Sequence, residues 1–151
     1  MRVSVIGGGQ VSEAAADRAE AVGRELGRRG YTVVCGGLGG SMWAVCRGAK
    51  EAGGQTIGVL PTASVADANP HVDVAVATGM GHARNALVPL NGEGVIALTG
   101  GPGTLSEIGF ALVYDRPVVG LETHELAGYD IQRAETPAEA VDLLEAAIEE
   151  R

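Results

Sequence analysis

The 151-residue chain holds 24 Gly, 6 Pro, 2 Cys and a single Phe, with 46% hydrophobic and 20% charged residues. This is the composition of one globular domain spanning residues 1–151, not of a disordered chain, and the glycine excess over the usual ~7% follows no collagen-like period. Nineteen acids against eleven bases give a net charge of −8, which argues against nucleic acid or an anionic membrane as a partner while allowing one small phosphate in a local pocket.

Met1-Arg2-Val3-Ser4-Val5-Ile6-Gly7 reads as a strand running into a turn, not as a signal peptide. No apolar run reaches the roughly 18 residues of a membrane span. Ser12–Arg29 follows as a helix, with Ala15, Ala19, Val22 and Leu26 on one stripe and charges opposite. Thr32–Cys35 is the second strand and Ser41–Ala52 the second helix. Thr56–Leu60 and Val72–Val76 are the third and fourth strands. The stretch between them, Pro61–His71, has no helical pattern and reads as an irregular loop over one sheet end. His82–Leu90 is a weakly amphipathic helix, Val95–Leu98 the fifth strand and Thr104–Tyr114 the next helix. Val118–Leu121 is the sixth strand. The last helix opens with Thr136-Pro137-Ala138-Glu139, a capping box with Pro at the first helical position.

Continuous apolar strands alternating with helices predict an α/β, Rossmann-like doubly wound fold. The expected sheet is mostly parallel, with 6–7 strands in the order 3-2-1-4-5-6. Cys35 falls on a strand and Cys46 on a helix, without metal-ligand spacing. Free thiols are expected, with the cytoplasm as compartment. No spacing calls for a metal.

The glycines cluster after strands. Gly7-Gly8-Gly9 follows the first, Gly36-Gly37-Leu38-Gly39-Gly40 the second, Thr78-Gly79-Met80-Gly81 the fourth and Gly100-Gly101-Pro102-Gly103 the fifth. The carboxyl edge of an open α/β sheet is where ligands bind. Glycine brings backbone close to an anion, and a helix N-terminus aims free N–H groups at it. The ligand-binding candidates are therefore Gly8, Gly9, Gly37, Gly79, Met80, Gly100, Gly101, Gly103 and Thr104. Tight strand-to-helix turns are the simpler reading of any one cluster. The dinucleotide fingerprint is incomplete, because Gly7-Gly8-Gly9-Gln10-Val11-Ser12 lacks its third glycine, and there is no P-loop.

Thr99-Gly100-Gly101-Pro102-Gly103-Thr104-Leu105-Ser106-Glu107 resembles the PGGxGTxxE motif of the LONELY GUY family, cytokinin-activating phosphoribohydrolases often mislabelled lysine decarboxylases. Gly81-His82-Ala83-Arg84-Asn85 resembles that family's MxxRK motif, and the turn before Ser41-Met42 its GGGxxGLM stretch. The resemblance runs from about Val3 to Leu121. It extends to a wider superfamily with molybdenum-cofactor carrier proteins and the Rossmann-like domain of DNA-processing protein A, and is strongest to an uncharacterised prokaryotic nucleotide-binding branch.

The resemblance implies Arg84 and Glu107 as a catalytic pair. Arginine would hold a phosphate or base by forked hydrogen bonds, and the carboxylate would stabilise positive charge on a ribose. Asn85 stands where the motif has lysine, Thr99 where it has proline, Pro102 at the variable position and Ser106 where it has an acid. Read without the family, Thr104-Leu105-Ser106-Glu107 is also a capping box. His82 reads as a general base or a polar lining residue.

The expected function is binding of a nucleotide-like phosphorylated ligand, with hydrolysis of the N-glycosidic bond of a nucleoside 5′-monophosphate. The alternative is a non-catalytic carrier or sensor of a ligand such as molybdenum cofactor. Single-stranded nucleic acid is set aside on net charge and scarce aromatics. Lysine decarboxylation is rejected, because the only lysine, Lys50, lies late in the second helix, away from the strand-end loops. No cofactor is required. The family resemblance implies a homo-oligomer, dimer or tetramer, with Met42, Trp43 and Val45 as candidate contacts; core packing is the alternative for Trp43.

Overall fold

The computed structural model describes residues 1–151. In chain order it contains β1 (Arg2–Ile6), α1 (Glu13–Arg28), β2 (Thr32–Cys35), α2 (Ser41–Glu51), β3 (Gln55–Leu60) and β4 (Val74–Ala77). A 3-10 segment over Gly81–Ala86 runs into the four-residue α3 (Leu87–Leu90), then β5 (Gly94–Ala97) and α4 (Pro102–Val113). The chain closes with β6 (Val118–Gly120), β7 (Gln132–Arg133) and α5 (Pro137–Glu149). No helix is long and apolar enough to cross a membrane.

The seven strands form one all-parallel sheet in the order β4-β3-β2-β1-β5-β6-β7, a doubly wound α/β fold. The fold class stands as expected, but one neighbour in the expected order is corrected. The fourth strand is not beside the first. It pairs with β3 at the sheet edge, Ile57 opposite Val74, and β5 takes the place beside β1. The connection from β3 to β4 explains this. It contains one short 3-10 turn, Val65–Asp67, and no crossover helix. It is also pinned to the β2–β3 side. The Asn69 amide donates to Gly37 O, the Thr56 hydroxyl to His71 O and the Asp73 amide to Thr56 O. A strand leaving this loop can only add to the free edge of β3.

The two faces of the sheet are covered unequally. Helices α1, α2 and α5 bury one core, with Val3, Val5, Val33, Cys35, Ile96 and Val119 beneath them. Here α1 and α2 touch backbone to backbone. A Cβ on Gly23 would sit 2.0 Å from Val45 O, and one on Gly48 would sit 2.0 Å from Glu20 O. Cys35 and Cys46 lie in this core as free thiols, Sγ to Sγ 3.4 Å. The opposite face has only α3 and α4 over a smaller core of Ile6, Val34, Val59, Val95, Ala97 and Val118. Ser4 is buried there and donates its hydroxyl to Val88 O at 2.6 Å.

The helix starts also differ. Ser12 caps α1 by accepting from the Ala15 amide, and Thr136 caps α5 by accepting from the Glu139 amide. Gly40 before α2 and Gly101 before α4 provide no side-chain cap.

Candidate functional site

With β1 and β5 adjacent, their carboxyl ends lie side by side at the point where the strand order reverses, and the Gly8 amide donates to Thr99 O at 2.8 Å. A groove of about 300 Å³ opens there. Its lining is Gly7, Gly8, Gly9, Met42, His82, Arg84, Asn85, Gly101, Gly103, Thr104 and Glu107. Two larger depressions, of about 630 and 380 Å³, lie at the amino ends of the strands. The free backbone donors and the buried charges converge in the smaller groove.

Helix α4 begins three residues earlier than a cap at Thr104 would require. Gly101 is the N-cap and Pro102 the first helical residue, so the capping-box reading of Thr104 and Glu107 does not hold. The first N–H groups of a helix have no intrahelical partner. With no side-chain cap, those of Gly103 and Thr104 stay free at the groove, at the positive end of the helix dipole. The Thr104 hydroxyl lies beside them, and His124 Nε2 contacts Gly101 O at 3.1 Å.

Arg84 arrives from the other side. After β4 the chain crosses back over the strand ends through Gly81–Ala86, which carries Arg84 into the groove with 7% exposure. Its guanidinium passes over Gly36, where a Cβ would lie 2.8 Å from Nη1 and 2.6 Å from Met42 Sδ. Nη1 donates to Asn85 Oδ1 at 3.0 Å, and Nε is buried without a partner. Burial pulls the Arg84 guanidinium below its usual value, and the Glu107 carboxyl, when ionised, pulls the other way. Asn85 in turn donates to Ser106 Oγ at 3.2 Å, and Ser106 donates to Gly103 O at 2.6 Å. A neutral relay thus joins Arg84 to the first turn of α4.

Glu107, one turn into α4, is 6% exposed and has no hydrogen bond or ion pair to any protein group. Burial pushes its carboxyl up to about 8, with the charge of Arg84 pulling the other way. No group of three or more His, Cys, Asp or Glu side chains is arranged to hold a metal ion.

The structure brings Gly8, Gly9, Arg84, Gly101, Gly103, Thr104 and Glu107 together around this groove. Both backbone groups of Gly8 are spent on Thr99 O and the Ser41 amide, so Gly8 frames the groove without a donor to offer. Gly100 stands behind Thr104, whose Oγ1 would lie 2.0 Å from a Cβ there. Gly37, Gly79 and Met80 lie outside the lining. Gly37 is buried at φ +78 against Leu60 and Gly58, and the Gly79 amide is held by Thr62 O. With β4 at the edge, its glycine turn serves the reversal of the chain rather than the groove. Gly7, Met42, His82 and Asn85 join the lining in addition. Of the α2 contact candidates, Val45 is fully buried, Met42 faces the groove and Trp43 stays 43% exposed, its ring edge-on to His71. Lys50, at the far end of α2, pairs with Asp73.

The SLOG cluster4 family matches residues 1–147. An uncharacterized protein of Archaeoglobus fulgidus is 37% identical over 142 residues, 94% of this chain and 93% of its own. The cytokinin riboside 5′-monophosphate phosphoribohydrolase of Mycobacterium tuberculosis is 34% identical over 107 residues, 65% of this chain and 57% of its own. The molybdenum cofactor binding protein of Rippkaea orientalis superposes with a TM-score of 0.91 at 32% identity, over 97% of this chain and 96% of that one. The molybdenum cofactor carrier protein of Chlamydomonas reinhardtii gives 0.90 at 30% identity, over 99% and 98%. DNA processing protein A of Helicobacter pylori, a single-stranded DNA binder, shares the fold with a TM-score of 0.64 at 22% identity, over 98% of this chain and 73% of its own. That last likeness corrects the exclusion of nucleic acid drawn from net charge. The same fold accommodates single-stranded DNA in that protein, and a charge summed over a whole surface does not describe one groove.

Proposed function

The chain belongs to the SLOG cluster4 family, and from that premise we propose that it binds a phosphorylated, nucleotide-like ligand and carries it unchanged. One observation carries this reading: the open start of α4, with the free amides of Gly103 and Thr104, faces the buried guanidinium of Arg84 across a single groove. Paired N–H groups at a helix N-terminus and an arginine suit a phosphate monoester. The kinship with molybdenum cofactor carriers favours a phosphorylated pterin as the cargo class. It would be held through its phosphate by Gly103, Thr104 and Arg84.

Hydrolysis of a nucleoside monophosphate is the second reading. It is favoured by Arg84 and Glu107 lining the same groove and by the phosphoribohydrolase relative. Glycosidic cleavage calls for an ionised carboxylate near the ribose. A Glu107 carboxyl raised to about 8 is mostly neutral near pH 7, which weighs toward the carrier.

The test titrates the protein with molybdenum cofactor and with nucleoside 5′-monophosphates by calorimetry, and follows free base by chromatography. The expected outcome is saturable binding of a phosphorylated ligand with no base released. Arg84→Met keeps a long stem over Gly36 but removes the charge, and binding should fall roughly 100-fold, about 2.7 kcal/mol. Base release that disappears in Glu107→Gln would replace the carrier with a hydrolase.

A further inference from the structure

Resting on the phosphate-ester reading of the groove, we propose that its ligand carries an uncharged hydrogen-bond acceptor, a ring carbonyl oxygen or ring nitrogen, and that Glu107 donates to it as a neutral carboxylic acid. Glu107 is the one groove side chain that is deeply buried, able to ionise and wholly without a protein partner. Arg84 does not neutralise it by contact: the two form no ion pair, Nη1 donates to Asn85 and the guanidinium lies over Gly36. The charged and titratable groups around it are Arg84 and His82 from the 3-10 segment and Cys35 from the end of β2. From α2 the groove receives only Met42.

A carboxylate left unpaired in such surroundings is costly. A phosphate at the start of α4 would add a second negative charge to the same groove and favour the neutral acid further. A neutral carboxyl has one O–H to give, and no protein acceptor takes it. The acceptor therefore belongs to the ligand. Ring N–H donors would do the opposite, because they would favour the ionised carboxylate and expel its proton on binding. The two cases differ in the sign of proton exchange.

The probes are ribose 5-phosphate, which has the phosphate and no base, and AMP and CMP, whose unprotonated ring nitrogens do not titrate in the range used. Affinities are measured by calorimetry from about pH 7 to about pH 9, where the phosphate is already a dianion. Buffers of different ionisation enthalpy report the protons exchanged. AMP or CMP should bind more tightly than ribose 5-phosphate near pH 7. That advantage should shrink, by up to roughly tenfold per pH unit, above about pH 8, with uptake of close to one proton. Glu107→Gln cannot ionise, and its affinities should be flat across the range. A base advantage that is absent, independent of pH, or growing with pH as protons are released would overturn the proposal and leave the phosphate site standing. Failure of all three probes to bind would remove the phosphate site and the proposal with it.

Discussion

Two helices of this chain carry the same tetrapeptide pattern, Thr-x-x-Glu, and use it in opposite ways. At α5, Thr136 caps the helix by accepting from the Glu139 amide at 3.1 Å, and Glu139 reaches back to accept from the Glu135 amide at 2.9 Å. At α4, Thr104 and Glu107 cap nothing, because the helix has already begun at Pro102 with Gly101 before it. Both helices have Pro at the start. A pattern of residue types thus fixes the local chemistry available, and the position of the first helical residue decides whether that chemistry closes the helix end or leaves it open to a ligand.

Three substitutions would break or sharpen this contrast. The largest effect is expected at Glu107. Its folded-state value, about 8, lies above the ordinary 4.5 of an unfolded chain. The stability it contributes is fully present below pH 4.5 and is lost as pH rises through about 8. Glu107→Gln removes that penalty, so it should stabilise the protein by about 1–3 kcal/mol at pH 8 and far less at pH 5, read from urea unfolding at the two pH values. Equal effects at both would mean that the carboxyl ionises normally. Next comes Gly101→Asp, which should turn the start of α4 into that of α5. Nothing lies within 4 Å of a Cβ there. The new carboxylate should occupy the free amides, lowering affinity for ribose 5-phosphate about tenfold, roughly 1.4 kcal/mol, while raising stability by a few tenths of a kcal/mol. Undiminished binding would show that the α4 amides hold no phosphate. The smallest effect is at α5 itself: Thr136→Ala should cost about 1 kcal/mol of stability. Affinity for ribose 5-phosphate, measured alongside, should not change.

The central strands were legible because parallel strands covered on both faces are apolar throughout, and edge strand β4 because it is apolar although Val74 and Val76 are exposed. Strand β7 was not, since Gln132 and Arg133 are both exposed and carry no apolar signal. The neighbour of β1 could not be read either, because it depends on hydrogen bonds from the Pro61–Asp73 stretch to Gly37 and Thr56, far apart in the chain. The groove was legible as glycine clusters at strand ends, and Arg84 and Glu107 through their motifs. That Gly37 supports the turn rather than lining the groove follows only from its neighbours in space. One signal for Asn85 was present. It and Ser106 both depart from the family pattern, a base and an acid each replaced by a neutral residue. The structure joins them by a hydrogen bond. Paired departures of this kind point to contact.

The unequal covering of the sheet bears on where this molecule can yield. On the α1–α2 side the helices meet through Gly23 and Gly48 with no side chain between the backbones, so neither can shift without lifting the other off the sheet. Amides there should exchange with solvent more slowly than those of the opposite face, which hydrogen exchange would read. The opposite side has a 3-10 segment and a four-residue helix where a full crossover helix would otherwise lie, and local opening is cheapest in such thinly packed elements. Arg84 rides on that segment. The groove therefore has one wall on the tightly packed α1–α2 side and another on the thinly packed segment that carries Arg84, which on the proposed carrier reading would give a bound cargo a way out that does not require the protein to unfold.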